Sequence, residues 1–356
     1  MDKKAIIAMS GGVDSSVAAY LMKKNGYDCI GVTMKLFHNE DIEVSREKTC
    51  CSLDDVNDAQ RVAYALDMPH YVFNFSDEFK EKVIDRFVSA YENGETPDPC
   101  IDCNRYLKFD RLYRRARELD CDYIVTGHYA RIEYDESKGR YLLKKAAYSD
   151  KDQSYVLYSM TQEQLAHTLF PLGDYTKPQI RDMAEEQGFL NAKKHDSQDI
   201  CFVPSGSYAD FIERYTKQTY PTGDFIDTSG NVLGTHKGII RYTIGQRKGL
   251  GISADAPLYV VNIDKDKNTI TLGKNDELYS KRLLAGNINL ISVEKIDKPM
   301  RVKAKIRYRH TEQDATVIQV NDKLDVTFDE PQRAITRGQA VVLYDNDTVV
   351  GGGTIL

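Results

Sequence analysis

Lys4-Ala5-Ile6-Ile7-Ala8-Met9-Ser10-Gly11-Gly12-Val13-Asp14-Ser15-Ser16 carries the clearest structural signal in the chain. The apolar run Ala5 to Met9 reads as a buried strand, and Val13 to Lys24 carries apolar residues at helical spacing. The two glycines therefore fall at a strand-to-helix turn. Such a turn suits a phosphate: consecutive glycines let the backbone approach an anion closely. Ser10, Asp14, Ser15 and the first N–H groups of the helix supply polar groups along a favourable dipole. No Lys follows as in a Walker A loop, and no G-x-G-x-x-G occurs.

Beyond this segment the strand and helix signals continue to alternate. A second strand spans Cys29 to Met34, a third Tyr71 to Phe75 and a fourth Tyr123 to Thr126. Helices are expected from Ser52 to Leu66, from Asp77 to Tyr91 and, strongly basic, from Arg105 to Leu119, with Thr96 to Asn104 as an irregular break. Strands alternating with helices imply an α/β fold with a doubly wound parallel sheet, whose ligands bind beyond the carboxyl ends of the strands. The first loop, Met34 and Gly127-His128 should then converge. A hairpin from Ala130 to Ala146, two helices and a short helix near Ser207 to Tyr215 complete this part. From about Gly223, turn signals separated by short β-branched runs predict two small mainly-β domains, the last a β-barrel. The expected domains are 1–205, 206–282 and 283–356.

A chain of 356 residues accommodates this organisation. No run of eighteen apolar residues occurs, so no membrane partner is expected and the chain is placed in the cytoplasm. Seven cysteines, an odd number, suit reduced thiols, catalysis or metal binding better than a disulfide framework.

The net charge of −6 hides a local excess of cations. Residues 281–310 hold nine Lys or Arg against Glu294 and Asp297. From Met300 to His310 the cations alternate with apolar residues, so a strand would place Arg301, Lys303, Lys305, Arg307 and Arg309 on one face. A second basic segment, His236 to Gly249, adds Tyr242. A solvated face explains either segment; contact with a phosphate backbone, with aromatics stacking on unpaired bases, explains both. Cys103 and Cys201 lie in polar, irregular stretches. Each alone reads equally well as an inert thiol, but a helix beginning near Asn104-Arg105 would supply Cys103 with a cation and a dipole that lower its pKa.

The loop resembles the S-G-G-x-D-S loop of ATP pyrophosphatases of the adenine nucleotide alpha hydrolase-like class. It is joined, in order, by Pro97 to Asn104, Thr126 to Tyr129, Lys151 to Ser154, Asp196 to Phe202, Thr243 to Gly251 and Arg307 to Arg309. The set resembles the tRNA-specific 2-thiouridylases along nearly the whole chain. That resemblance implies ATP on Ala8, Met9, Ser10, Gly11, Gly12, Val13, Asp14 and Ser15, with Met34 and Gly127 beside the adenosine and Mg²⁺ accompanying the nucleotide. It implies Cys103 as nucleophile and Cys201 as persulfide carrier, joined transiently as a disulfide. It further implies that Asp98, Pro99 and Cys100 face the target base, and that His128, Lys151, Asp152, Gln153, Arg307, Tyr308 and Gln339 contact tRNA of the lysine, glutamate and glutamine acceptors. A sulfur-relay protein or cysteine desulfurase would supply the sulfur. Asp98-Pro99-Cys100 departs from the family's Asn-Pro-Asp or Asn-Pro-Cys, and Ala8 stands where a glycine is frequent. With Cys201, the resulting Cys100-x-x-Cys103 is also a three-ligand set for an iron–sulfur cluster. The loop alone would equally serve an adenylating C–N ligase, and the basic segments with the cysteines an RNA-binding or metal-sensing protein.

Overall fold

Strands that are apolar on both faces need cover on both sides, which is what Ala5, Ile6 and Ile7 receive. The computed structural model describes residues 3–37, 53–194, 200–203 and 207–356; Cys50, Cys51, His195 and Asp196 to Asp199 lie outside the described residues. The chain divides into two compact units. One comprises Met1–Val83, Pro99–Ser205 and Asp347–Val349, the other Ile84–Asp98, Gly206–Asn346 and Val350–Leu356.

In the first unit, β1 (Lys4–Ala8), β2 (Asp28–Lys35), β3 (His70–Asn74) and β4 (Tyr123–Val125) form a parallel sheet, completed beside β4 by Thr168–Leu169. The spatial order is β3-β2-β1-β4 and then the short last strand, which at two residues is too brief to show in a hydrophobic pattern. Chain order reverses direction between β1 and β4, so the crevice for ligands opens beyond their carboxyl ends. Helix α1 (Val13–Lys24) buries Val17, Ala18, Leu21 and Met22 in the core of this sheet. The hairpin pairs Ala130–Asp135 with Arg140–Lys145, and Thr348 pairs with Lys144.

Two helices differ from expectation. The helix expected from Asp77 is Ser76–Phe79, a π turn over Lys80–Ile84, and Asp85–Glu92. The basic helix begins six residues earlier than expected, at Pro99–Asp102, and runs through a π segment, Cys103–Arg111, into Leu112–Glu118. Proline at a first helical position costs no hydrogen bond, and Pro97 and Pro99 both keep the residue before them extended, so the break ends at Asp98.

The second unit holds a four-stranded sheet made of Gly223–Ile226, Val232–His236, Tyr259–Asp264 and Thr269–Gly273. Later in the chain come six strands: Tyr279–Leu290, Met300–Lys305, Gln313–Val320, Lys323–Arg333, Ala340–Asp345 and Thr348–Ile355. They close into an antiparallel barrel through pairing of the first with the last. Its interior packs Val302, Ala304, Val317, Val326, Phe328 and Leu343. Closure removes every free strand edge. The fold is thus an N-terminal doubly wound sheet followed by smaller β domains, the last a barrel.

Candidate active site

The glycine loop takes its shape from contacts on all sides. Gly11 has φ +75°, and a Cβ there would run into the Asp55 carbonyl, 2.8 Å from its carbon. Gly12 caps α1 in an extended conformation with no side chain supplying the cap hydrogen bond. The helix amides therefore face the crevice without a built-in acceptor, which is the arrangement that receives an anion. Ser15 Oγ donates to Gly12 O at 3.0 Å and accepts from Ser10 N–H at 3.2 Å. Met9, Val13 and Ser15 are buried, Ser10 is exposed, and Ala8, Gly12, Asp14 and Met34, near the carboxyl end of β2, are half-buried. Gly127 closes the opposite side: a Cβ there would stand 2.9 Å from both Asp14 C and Ser15 N. The expected convergence of the first loop with Gly127 is present.

Several partners of this loop have no signature in the sequence around them. Lys177 Nζ sits 2.8 Å from both carboxylate oxygens of Asp14, and the Tyr129 hydroxyl donates to the same carboxylate at 2.6 Å. Asn191 Nδ2 donates to Gly11 O at 3.0 Å and Ser16 Oγ at 2.9 Å. Lys194 bridges Asp55 at 2.6 Å and Asp58 at 2.8 Å. One signal is available for Lys177: it occupies the first position of its helix, where the dipole disfavours a cation unless a tertiary partner holds it.

Cys103 lies inside a helix, at the start of the π segment, because that helix begins at Pro99. The expected low thiol pKa is not found: burial pushes it up, and Lys108 only partly offsets this. Its neighbour Asn104 is buried and donates to Val156 O at 2.9 Å. Pro99 is buried, Asp98 half-buried and Cys100 exposed. Cys201 is half-buried, followed by Phe202, whose ring meets Phe79 edge-on at 5.8 Å. Cys29, Cys100, Cys103, Cys121 and Cys201 are all free thiols. Among the described residues no group of three or more His, Cys, Asp or Glu side chains is arranged to hold a metal ion.

The residues expected against RNA divide into framework and surface. His128 is buried between Phe109 and Phe170, its Nδ1 2.7 Å from Thr126 Oγ1, and burial holds its pKa well below the usual value. Asp152 accepts from Ala146 N–H at 3.0 Å and Ser154 Oγ at 2.8 Å; Gln153 accepts from Tyr129 N–H at 3.0 Å. Lys151 is exposed at the end of a short 3₁₀ turn.

In the second unit the face of five cations does not exist as expected. The strand ends at Lys305, so Arg307, Tyr308 and Arg309 lie in the following turn. Arg301 pairs with Asp329 at 2.7 Å and Arg282 with Asp325 at 2.6 Å, while Lys303 lies 3.9 Å from Asp314. Carboxylates of neighbouring strands relieve the repulsion. Among the described residues, none forms an ion pair with Arg307 or Arg309. In the other basic segment, His236 is buried, accepting at Nδ1 from Gly238 N–H at 3.1 Å and donating from Nε2 to Asn268 O at 3.0 Å. Tyr242 is buried against Phe225, so neither ring is presented for base stacking. Gln339 is half-buried and donates to Thr96 O and Pro97 O. Among the described residues no helix is long and apolar enough to cross a membrane.

Three family models match in succession: a tRNA methyl transferase HUP domain over residues 3–205, a tRNA methyl transferase PRC-barrel domain over 209–274 and an aminomethyltransferase beta-barrel domain over 280–355. The tRNA-specific 2-thiouridylase MnmA of Clostridioides difficile is 55% identical, covering 100% of this chain and 98% of that protein. The tRNA-specific 2-thiouridylase MnmA 2 of Caldanaerobacter subterraneus subsp. tengcongensis is 56% identical, with 99% and 98% covered. Among solved structures, a 4-thiouridine synthetase–RNA complex with bound ATP has a TM-score of 0.38 at 20% identity, covering 60% of this chain and 50% of that one. On its identity to full-length relatives, the chain belongs to the tRNA-specific 2-thiouridylase family.

Proposed function

We propose that this chain is an ATP-dependent tRNA sulfurtransferase that replaces O2 of the wobble uridine by sulfur. The observation that carries the reading is the glycine loop at the sheet's reversal point, with uncapped helix amides and Gly127 against them, in a chain 55% identical throughout to named thiouridylases. The domain descriptions speak of methyl transfer, whereas the full-length relatives are named for thiolation. Two thiols beyond the nucleotide loop favour sulfur chemistry.

ATP is a substrate, and Ala8 to Ser15 would hold its phosphates on backbone N–H groups, with Met34 and Gly127 beside the adenosine. Mg²⁺ bound to the nucleotide would neutralise phosphate charge; the loop's own carboxylate, Asp14, is engaged by Lys177. O2 of the uridine attacks the α-phosphorus and pyrophosphate leaves, which makes C2 electrophilic. The terminal sulfur of a Cys201 persulfide adds to C2, and AMP departs with the former O2. The Cys103 thiolate then attacks Cys201 Sγ, so that the sulfur stays on C2 and a Cys103–Cys201 disulfide forms. An external dithiol reduces that disulfide, and a sulfur-relay protein or cysteine desulfurase renews the persulfide. Asp98 and Pro99 would face the base, Cys100 beside them, while Arg307 and Tyr308 meet the RNA from the barrel and His128, Asp152 and Gln153 act as framework beneath Lys151. The acceptors are tRNAs for lysine, glutamate and glutamine. A target base has to leave its stack to reach the nucleotide.

The test is nucleoside mass spectrometry of tRNA incubated with the protein, ATP, Mg²⁺ and a persulfide source. The expected product is 2-thiouridine, absent with Cys103→Ser and with Cys201→Ser. Undiminished product from Cys201→Ser would refute the persulfide assignment.

A further inference from the structure

We propose that Asn191 is a positioning residue for the nucleotide loop: it fixes the Gly11–Gly12 peptide so that the Gly12 N–H is presented to a phosphate. Asn191 is buried, and its Nδ2 has two hydrogens, one donated to Gly11 O at 3.0 Å and the other to Ser16 Oγ at 2.9 Å. Lys194 Nζ approaches the same Gly11 oxygen at 3.4 Å. In a planar trans peptide the C=O and the following N–H point in opposite directions. Holding Gly11 O on the Asn191 side therefore turns Gly12 N–H to the other side, where it has no acceptor among the described residues.

The second peptide of the turn is held through Ser16. Its hydroxyl accepts from Asn191 and donates to Gly12 O at 3.0 Å, and Ser16 N–H reaches that oxygen at 3.3 Å. One side chain thus governs both glycine carbonyls, the first directly and the second through one hydroxyl. A turn of two glycines needs such a hold, because it has no side chains of its own to restrict it. Asn191 is itself fixed, since its carbonyl accepts from Lys194 N–H at 3.0 Å and Arg181 reaches Ala192 O and Lys194 O at 3.4 Å. Phe189 and Ala192, on either side, are packed into the core of the parallel sheet.

An independent observation is the cost of this arrangement. Asn191 Oδ1 is buried and has no hydrogen-bond partner among the described residues. A buried acceptor left unsatisfied lowers stability, and an apolar side chain of similar size would avoid the loss. Turning the amide over would not relieve it, since an oxygen would then face Gly11 O, itself only an acceptor. What the two donors do at the loop, not packing, accounts for an asparagine here. That the anion is ATP rests on the thiolation reading; the hold on the peptide does not.

The test compares the native protein with Asn191→Leu, which removes the donors, and Asn191→Asp, which puts an oxygen against Gly11 O. Titration calorimetry should show ATP binding about 10- to 100-fold more weakly to both variants, the range for losing one hydrogen bond to a charged group. Adenosine, which has no phosphate, should bind within about twofold of native. In nucleotide-free protein the carbon-13 resonance of the Gly11 carbonyl should move upfield as its hydrogen bond is lost. Native ATP affinity in both variants, an unmoved carbonyl resonance, or equal losses for ATP and adenosine would overturn the proposal, the last because general loosening of the site weakens both ligands alike. If the native protein binds no ATP, the functional reading fails, and the carbonyl resonance still decides whether Asn191 holds the peptide. Should Asn191→Asp not fold, Asn191→Leu supplies the same readouts.

Discussion

Gly11 and Gly12 are adjacent, yet the structure assigns them different work, and alanine should separate the two. At Gly11 an added methyl meets backbone atoms of Asp55, C and Cα both at 2.8 Å, at a φ of +75°. Adopting that φ costs an L-residue about 1–2 kcal/mol. Overpacking against backbone adds about 1–3 kcal/mol, and Asp55 cannot easily retreat because Lys194 holds its side chain. The lower entropy of an unfolded alanine chain returns about 0.4–1 kcal/mol. The expected net loss for Gly11→Ala is roughly 1–5 kcal/mol. At Gly12 the φ is −89°, and the nearest atom to an added Cβ is Ser10 Oγ at 3.4 Å, an ordinary contact. Gly12→Ala should therefore change stability by less than about 1 kcal/mol. Its methyl, however, would stand on the face that receives phosphate, and ATP affinity should drop about tenfold or more. Urea unfolding followed by circular dichroism, and ATP titration calorimetry, measure the two quantities. Equal stability losses in both variants, or native ATP affinity in Gly12→Ala, would refute this division of roles.

Lys177→Met should destabilise by about 1–3 kcal/mol, less than for a fully buried pair because Asp14 remains partly solvated. Adding Asp14→Asn should restore part of the loss, and strictly additive effects in a double-mutant cycle would show that the pair is not coupled. Because burial raises the Cys103 thiol, it holds less thiolate than an ordinary cysteine at any given pH. Iodoacetamide should label exposed Cys100 first near neutrality, with Cys103 labelling still climbing above the ordinary thiol pKa of 9.0. Equal labelling rates by peptide mass spectrometry would contradict this. Arg307→Ala and Arg309→Ala should each weaken tRNA binding and reduce the salt slope by about 0.9. Arg301→Ala, whose cation is already answered by Asp329, should leave the slope near native in filter binding across a salt series.

Much of the architecture is legible in the sequence because it depends on short-range pattern. Ile6 and Ile7 announce a strand covered on both faces, Gly11-Gly12 a turn after it, and the alternation through Val302 and Ala304 a strand with one face in a core. The hidden part depends on pairing between distant residues. Asp314, Asp325 and Asp329 come after the basic segment in the chain but stand beside it in the barrel, so a run of like charges looks uncompensated in the sequence. His236 and Tyr242 look like RNA-facing groups in a loop-rich segment, yet both are spent on the core of their own sheet. Cys103 sits deeper in its helix than the pattern implies, because Pro99 acts as the first helical residue and not as a breaker. Lys177 and Asn191 escape a reading of the sequence because nothing local marks a side chain that reaches 163 or 180 residues back.

The hold of Gln339 on Thr96 spans 243 residues of sequence, and that separation bears on how the chain comes to its native state. Closing a flexible loop of such length costs roughly 5 kcal/mol of chain entropy, which no single contact repays. The closure becomes favourable only once the barrel has formed and presents Arg337, Gly338 and Gln339 together. Contacts of high sequence separation form late, so the Thr96–Asp98 segment is settled after the local elements on either side of it. During synthesis from the N-terminus, the nucleotide loop and its sheet can be complete while Thr96 and Pro97 still wait for a partner not yet made. A chain cut short before residue 339 would carry the ATP loop while Thr96 O and Pro97 O lack the Gln339 amide.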